Sequence, residues 1–426
     1  MKRSSLSGDT DSPRILPKVN REVKIIFVFS LLFIEKGMKI LHLFSDWKWT
    51  GPSEPVLNLC KALEKKGHDV TLAYRKPPFP VEDSLENRVL KEGVKATNQF
   101  HLSHGLMFYR PSTIWDHLCH IWSLTDYLRQ ERFDILNVHQ SHDHILGGIA
   151  ARRSNYPVIV IRSDHQRNPL KPSLGNRLLI SQLTDGMITF SERARKEDAE
   201  HFGLPLERVG KILPALDLER FNPQREFKNM RAVFGIGPND KIIGMVARFQ
   251  KYRRTEVFLE AVKTIVEEFP NIKVLLVGRS SQMEENVIQP MKRLGIEPWV
   301  VLGGYRADDY IDTLACMDLF VFLMAGSDGT ARALREAMAM GKPVIVADRG
   351  ILPELVENRI SGLVVEETPE ALADATLQLL RHPELRMGMG KAAWKKAHQD
   401  FRLDQQAKAV ETFYEEMITL GKWKRR

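Results

Sequence analysis

Short apolar runs recur along the chain, separated by stretches with helical spacing. A first series predicts strands over residues 39–44, 69–73, 135–139, 158–161 and 187–190. A second predicts strands over 242–246, 273–277, 300–302, 319–322, 344–347 and 363–365. Many of these runs are rich in Val, Ile and Leu without polar alternation, as in parallel strands buried on both faces. Between them, Val257, Phe258, Ala261, Val262, Ile265, Val266 and Phe269 are spaced three and four apart, which predicts an amphipathic helix ended by Pro270. Residues 54–65 predict another. Strand and helix alternating in two blocks imply an α/β chain of two doubly wound domains, 38–215 and 216–399. The break falls in the segment from Pro214 to Pro223. Ligands of such sheets sit beyond the carboxyl ends of the strands, so two facing sheets predict one cleft between the domains.

The ends of the chain read differently. Residues 1–23 are polar, and Ile25 to Ile34 is apolar except for Ser30. Ten helical residues reach about 15 Å, half of a bilayer core, so this is not a spanning segment. Met38 opens Met-Lys-Ile-Leu-His-Leu-Phe-Ser, which reads as a first strand starting at its own initiator. Residues 1–37 are therefore expected to be a loose extension or a mis-assigned start.

Composition narrows the function classes. Over 426 residues, 43% are hydrophobic and 27% charged, as in a globular protein rather than a disordered or polytopic one. Lys and Arg exceed Asp and Glu by 62 to 54, a net charge of +8. Residues 1–37 hold +3 of this and the last six residues +4, which leaves +1 for the body. A near-neutral body argues against nucleic acid as a partner. Three scattered cysteines form no disulfide framework and suit a reducing, cytoplasmic compartment.

The most informative stretch runs from Gly326 to Ile345, GSDGTARALREAMAMGKPVI. An apolar strand leads into a loop with Gly326 and Gly329, and a helix follows, with Asp328 or Thr330 expected as its N-cap. Such a junction suits an anion, because free N–H groups and the helix dipole point at the ligand. Asp328 and Glu336 flank it with seven residues between, about two helical turns. The stretch resembles the Glu-x7-Glu signature of retaining glycosyltransferases of the GT-B fold, glycosyltransferase family four. It departs in Asp328, where the family usually has Glu, and in Ala331, where many members have Gly.

Other segments resemble the same family in order. Met245 to Arg254 (MVARFQKYRR) is similar to a strand followed by two cations that grip the donor diphosphate. Arg248 stands at the Arg position, Arg253 at the usual Lys, and Arg254 at a usual Gly. Fixed cations beside a departing diphosphate stabilise it most in the transition state. Val274 to Gly278, Val301 to Tyr305 and Arg349 to Glu354 continue the match. In the first half, Thr50-Gly51-Pro52 resembles the loop near the donor phosphates and acceptor. His139 stands at a cleft-lining His, and His165 ends a strand where the family places a His near the donor sugar. Ser191 is read as a helix cap. The run His139, His142, Asp143, His144 invites a metal reading, set aside because successive residues at one turn lack a fourth ligand elsewhere.

The resemblance implies a GT-B fold of two Rossmann-like domains, with a helix near residues 400–420 packing back on the first. It implies catalytic roles for His165, Asp328, Arg248 and Arg253, and substrate binding by Gly51, His139, Gly329, Thr330 and Glu336. The implied partners are a nucleotide-sugar donor, with no metal or other cofactor required, and a glycan or lipid-linked acceptor in cell-surface polysaccharide or lipopolysaccharide synthesis. Peripheral contact with the cytoplasmic face of the inner membrane goes with such acceptors, as do the aromatic and cationic residues of 79–110. A nucleotide-sugar epimerase and a non-catalytic sugar-nucleotide-binding scaffold are the alternative readings.

Overall fold

The computed structural model describes residues 37–49, 51–82, 84–100, 102, 111–166, 168–326 and 330–424. The expectations for residues 1–36, for Asp328 and Gly329, and for much of 101–110 lie outside these.

The first lobe is built on a seven-stranded sheet. Its strands are β1 (Lys39–Phe44), β2 (Asp69–Tyr74), β3 (Ala96–Thr97), β4 (Ile135–Val138), β5 (Ile159–Ser163), β6 (Gly186–Thr189) and β7 (Val209–Lys211). They lie in the order β3-β2-β1-β4-β5-β6-β7 and every pairing is parallel. The second lobe holds β8 (Lys241–Val246), β9 (Ile272–Val277), β10 (Val300–Gly304), β11 (Leu319–Phe322), β12 (Val344–Ala347) and β13 (Gly362–Val365). Their order is β10-β9-β8-β11-β12-β13, again parallel throughout. Winding reverses between β1 and β4 in one sheet and between β8 and β11 in the other. These reversals leave open crevices at the strand carboxyl ends, where such sheets bind ligands.

Each predicted strand is present, with small shifts at its ends. β4 stops at Val138 and β6 at Thr189, so His139 and Phe190 fall just beyond their strands. β3 and β7 escaped prediction because two and three residues, one of them Gly210, carry no apolar run. The predicted helices form as Ser53–Lys65 and Thr255–Glu268.

The last helix, Leu403–Lys424, lies against the first sheet. Val410, Phe413, Tyr414 and Met417 join the buried cluster containing Ile40, Val56 and Ile135. Two glycines let it approach. A Cβ on Gly186 would stand 2.8 Å from the Met417 sulfur, and one on Gly210 would stand 3.1 Å from the Phe413 ring. The chain therefore crosses between lobes twice, near Pro214 and near Phe401, where the Leu216 N–H donates to the Phe401 carbonyl at 2.9 Å.

Candidate active site

At the carboxyl end of β8 the chain turns sharply. Arg248 is exposed, whereas Phe249 is fully buried and anchors the turn. A short 3-10 turn, Lys251–Arg253, ends on Arg254 at φ +59°. That left-handed backbone suits glycine best. Here the Arg254 side chain is tied down instead, to Glu367 at 2.6 Å and Glu256 at 2.9 Å. Arg253 donates to the carbonyl of Met324, two residues past β11. Its guanidinium lies 5.5 Å from the Tyr252 ring. Arg253 thus spans the crevice between adjacent strands β8 and β11. The neighbouring strand end is equally tight: a Cβ on Gly278, at φ +141°, would meet the Ala247 carbonyl oxygen at 1.9 Å.

The helix of the signature runs Arg332–Ala339. It begins later than its residues predict, and Thr330 is not its N-cap. Ala331, at φ +48°, occupies that place with no side-chain cap. The left-handed turn explains the small residues usual there. Thr330 is buried, and its carbonyl accepts from Arg335 Nε at 2.9 Å. Arg335, fully buried, also donates to the Pro214 carbonyl and lies over Phe401, so it joins this helix to both crossings between the lobes.

Glu336 is 3% exposed and both its oxygens are engaged. Oε2 accepts from the Tyr310 hydroxyl at 2.6 Å and Oε1 from Arg332 Nε at 2.7 Å. Burial, and next the Glu336 carboxylate, hold the Tyr310 phenol well above its ordinary range. Arg332 Nη2 reaches across the cleft to Glu54 Oε2 at 2.6 Å. Burial opposes the Arg332 charge, but Glu336 and Glu54 overcome it and raise its pKa. Glu54 lies in the first turn of helix Ser53–Lys65, three residues after Gly51 at φ +57°. Gly51 and Glu336, from opposite lobes, are thus connected through Arg332 and Glu54.

The first lobe also carries a chain of three imidazoles. His42 Nδ1 and His139 Nε2 share a hydrogen bond of 2.9 Å, and His139 Nδ1 and His165 Nε2 share another of 2.9 Å. Burial pushes His42 down to about 3. Burial, then the Arg162 charge, pushes His165 down to about 3, and burial with both neighbouring imidazoles holds His139 well below the usual range. Burial thus favours the neutral form of all three rings. The other members of the His139–His144 run turn to separate partners. His142 packs against the His117 ring, His144 Nε2 meets the Thr184 hydroxyl at 2.6 Å, and Asp143 accepts from the backbone of Gln140 and Ser45.

A cleft of about 400 Å³ opens between the lobes. Asp164, Gln166 and Arg193 line it on one side, with Tyr252, Arg254 and Arg349 on the other. These residues flank His165 in one lobe and Arg253 in the other. Below it, Glu354 of the second lobe accepts from the backbone N–H groups of Glu192 at 2.7 Å and Arg193 at 3.2 Å, at the start of helix Glu192–Phe202. Ser191 caps the same helix, accepting from the Ala194 N–H at 3.0 Å.

Tyr310, Arg332, Arg335, Glu54 and His42 were not singled out from the sequence. Only His42 left a signal there, as a lone polar residue inside the apolar run KILHLF.

Known proteins resemble this chain in sequence and in fold. The family "Glycosyl transferases group 1" matches residues 226–396, and "Glycosyltransferase Family 4" matches residues 50–220. The N-acetyl-alpha-D-glucosaminyl L-malate synthase of Bacillus anthracis is 25% identical over 366 residues, 84% of this chain and 92% of that protein. The UDP-Gal:alpha-D-GlcNAc-diphosphoundecaprenol alpha-1,3-galactosyltransferase of Escherichia coli is 25% identical over 57% of this chain and 65% of its own. Among solved structures, HepE of Anabaena in complex with UDP superposes with a TM-score of 0.71 at 18% identity, covering 88% of this chain and 99% of its own. A glycosyltransferase from Rickettsia africae gives 0.74 at 16% identity, covering 90% and 99%. With one family matched on each lobe and both sheets wound as parallel Rossmann-like layers about a shared cleft, the chain belongs to the group 1 and family 4 glycosyltransferases of GT-B fold and is a nucleotide-sugar-dependent glycosyltransferase.

Proposed function

We propose that this enzyme moves a sugar, with retention at the anomeric carbon, from a nucleoside diphosphate sugar to a hydroxyl of a cell-surface glycan or lipid-linked glycan precursor. The reading rests on one observation. Arg253 bridges the ends of β8 and β11 on one side of a cleft whose opposite wall carries the residues beside His165. Arg248 and Arg253 hold the diphosphate, and Glu336 takes the nucleotide ribose in place of one of its present partners. Thr330, with Asp328 and Gly329 of the same loop, orients the sugar, and His165 contacts it near the reacting carbon. Gly51 and His139 shape the opposing wall. The bond from the anomeric carbon to the phosphate oxygen breaks, and a bond to the acceptor oxygen forms on the same face. The acceptor's hydroxyl proton passes to the departing phosphate. Two arginines supply the charge a diphosphate needs, so the proposal includes no metal.

The acceptor class draws on the relatives. The Escherichia coli enzyme is named for a diphosphoundecaprenol acceptor, and another fold neighbour is a lipopolysaccharide outer core galactosyltransferase. No helix of the described residues is long and apolar enough to cross a membrane. Peripheral attachment is supported by exposed Trp115, Leu118 and Trp122 on helix Pro111–Glu131 and by exposed Leu174 and Leu178 on Leu174–Leu183. Cations accompany them: Arg153 lies 4.5 Å over the Trp122 ring, and Lys171 and Arg177 are exposed. Aromatic rings with basic neighbours suit an anionic headgroup layer.

A thermal-shift panel of nucleoside diphosphates and their sugars tests the donor, because a ligand of the folded state raises stability by mass action. A stabilising sugar nucleotide followed by product formation with retained configuration supports the reading. No shift with any of them, or inverted product, overturns it. Sedimentation with anionic and with neutral vesicles tests attachment; equal recovery with both would remove the lipid-facing part.

A further inference from the structure

Glu336 is held from two sides by partners of unequal freedom. On Oε2 is the Tyr310 hydroxyl at 2.6 Å, from the first residue of helix Tyr310–Ala315. The Tyr310 ring meets the Phe221 ring edge-on, with centroids 6.4 Å apart, and packs on the apolar cluster that contains Phe221. Phe221 is 1% exposed and lies in the crossing between the lobes. On Oε1 is Arg332 Nε at 2.7 Å, and the same guanidinium reaches Glu54 at 2.6 Å. Arg220, next to Phe221 in the chain, closes a ring of contacts. Its guanidinium lies 5.4 Å from the Phe221 ring, and its Nη1 is 3.6 Å from Glu54 Oε1. The carboxylate is thus fixed from the crossing by a clamped aromatic side chain and from the cleft by a long flexible cation.

With Glu336 3% exposed, a ribose hydroxyl reaches its carboxylate only where a present partner gives way. The two partners would lose different things. The bond to Glu336 is the one hydrogen bond of the Tyr310 hydroxyl among the described residues. Breaking it would strand a phenol against an apolar cluster, at the full cost of an unpaired donor. Arg332 would keep Glu54, so its charge would stay answered. Its side chain is 29% exposed and has room to turn. We infer that Tyr310 is a positioning residue for ribose recognition: it stays on Glu336 Oε2 when the donor binds, while Arg332 gives up Oε1 to a ribose hydroxyl and keeps Glu54. The inference rests on the reading that Glu336 takes the ribose. It adds which oxygen is taken, which side chain fixes that oxygen, and a specificity. A nucleotide without ribose hydroxyls offers nothing in exchange for Arg332, so the site rejects it.

Calorimetric titration of the full-length protein with UDP, GDP and ADP, each beside its 2′,3′-dideoxy counterpart, tests this. A ribonucleotide that binds should do so about 10- to 100-fold more tightly than its counterpart, and Glu336→Gln should lower that ratio at least about fivefold. Tyr310→Phe keeps the ring against Phe221 and removes only the hydroxyl. It should also lower the ratio at least about fivefold, while the dideoxy nucleotide binds within about twofold of its native affinity. A role confined to packing would weaken both nucleotides alike. A second measurement uses the native protein. Carbon-13 NMR of tyrosine labelled at Cζ, with Tyr310 assigned through Tyr310→Phe, should keep the signal of a carboxylate-bonded phenol on saturation with the ribonucleotide. A Tyr310 signal that moves to that of an unbonded phenol overturns the inference. So does a ratio that Tyr310→Phe leaves unchanged, or equal weakening of both nucleotides. If Tyr310→Phe fails in this way and Glu336→Gln still lowers the ratio, the ribose assignment stands and the role of Tyr310 is lost. A ratio that Glu336→Gln leaves unchanged removes the ribose assignment and this inference with it. Binding of none of the three diphosphates overturns the donor reading itself, and the inference falls too.

Discussion

Arg332 of the second lobe and Glu54 of the first are joined at 2.6 Å, and the same guanidinium holds Glu336 at 2.7 Å. Arg220 adds a weaker contact to Glu54 at 3.6 Å. One cation therefore couples the carboxylate proposed for the ribose to the opposite wall of the cleft. Domain closure and donor binding are then energetically linked, because a ribose that takes an oxygen of Glu336 changes what Arg332 can hold.

Arg332→Met should weaken that link. It leaves the buried Glu336 with one partner fewer and places no cation between two carboxylates. The expected cost is about 1–3 kcal/mol in urea unfolding, together with a larger radius of gyration in the free enzyme. An unchanged radius would mean that the bridge does not hold the lobes together.

Glu336→Gln keeps the shape and removes the charge. The donor KM should rise by about 10- to 100-fold, which corresponds to one charge-assisted hydrogen bond, with a smaller effect on kcat. Arg248→Ala should act the other way, lowering kcat about 10²-fold or more, as loss of a group that meets transition-state charge does. Steady-state kinetics over a range of donor concentrations checks both. Unaltered kinetics in the pair would remove the donor-site assignment.

Asp143 contributes a pH dependence to stability. Burial raises its carboxyl to about 7, although Ser45, Arg162 and Gln140 pull it down. Its unfolded value is about 3.9, so between the two the native state keeps a proton that the unfolded chain has lost. Rising pH therefore removes stability across that window. Asp198, also raised by burial to about 7, acts in the same sense, and the buried histidines act in the opposite one. The readout is the difference between Asp143→Asn and the native protein. It should grow in favour of the variant from about pH 4 to pH 7 in urea titrations. A constant difference would show that Asp143 is ionised throughout.

Gly278→Ala should fail structurally. Its Cβ would fall 1.9 Å from the Ala247 oxygen, a backbone atom that cannot rotate away, at a φ of +141°. The ends of β8 and β9 would have to separate. Loss of soluble protein, or a fall in melting temperature of several degrees with loss of nucleotide binding, is expected. A variant that melts and binds as the native protein does would refute the close approach.

The order of elements was readable because parallel strands buried on both faces must be apolar runs, and runs such as Leu319–Phe322 and Val344–Ala347 have no polar position to confuse their ends. The start of the signature helix was misread because Thr330 is a good capping residue. A propensity for capping says nothing of the left-handed turn that Ala331 makes instead. Gly186 and Gly210 carried no meaning until Met417 and Phe413, more than two hundred residues away, were seen to need the space.

The amino-acid sequence alone determined the two-lobed parallel architecture, all of its strands but β3 and β7, and the motifs that identify the enzyme, because these depend on local periodicity and on residues close in the chain. Tertiary structure decided which charges answer each other. Glu336 with Tyr310, Arg332 with Glu54, and His42 with His165 through His139 are partnerships between segments that meet only in the folded chain. Hydrogen bonds and ion pairs act over about 3 Å of space, whatever the distance along the chain, so no spacing in the sequence records them.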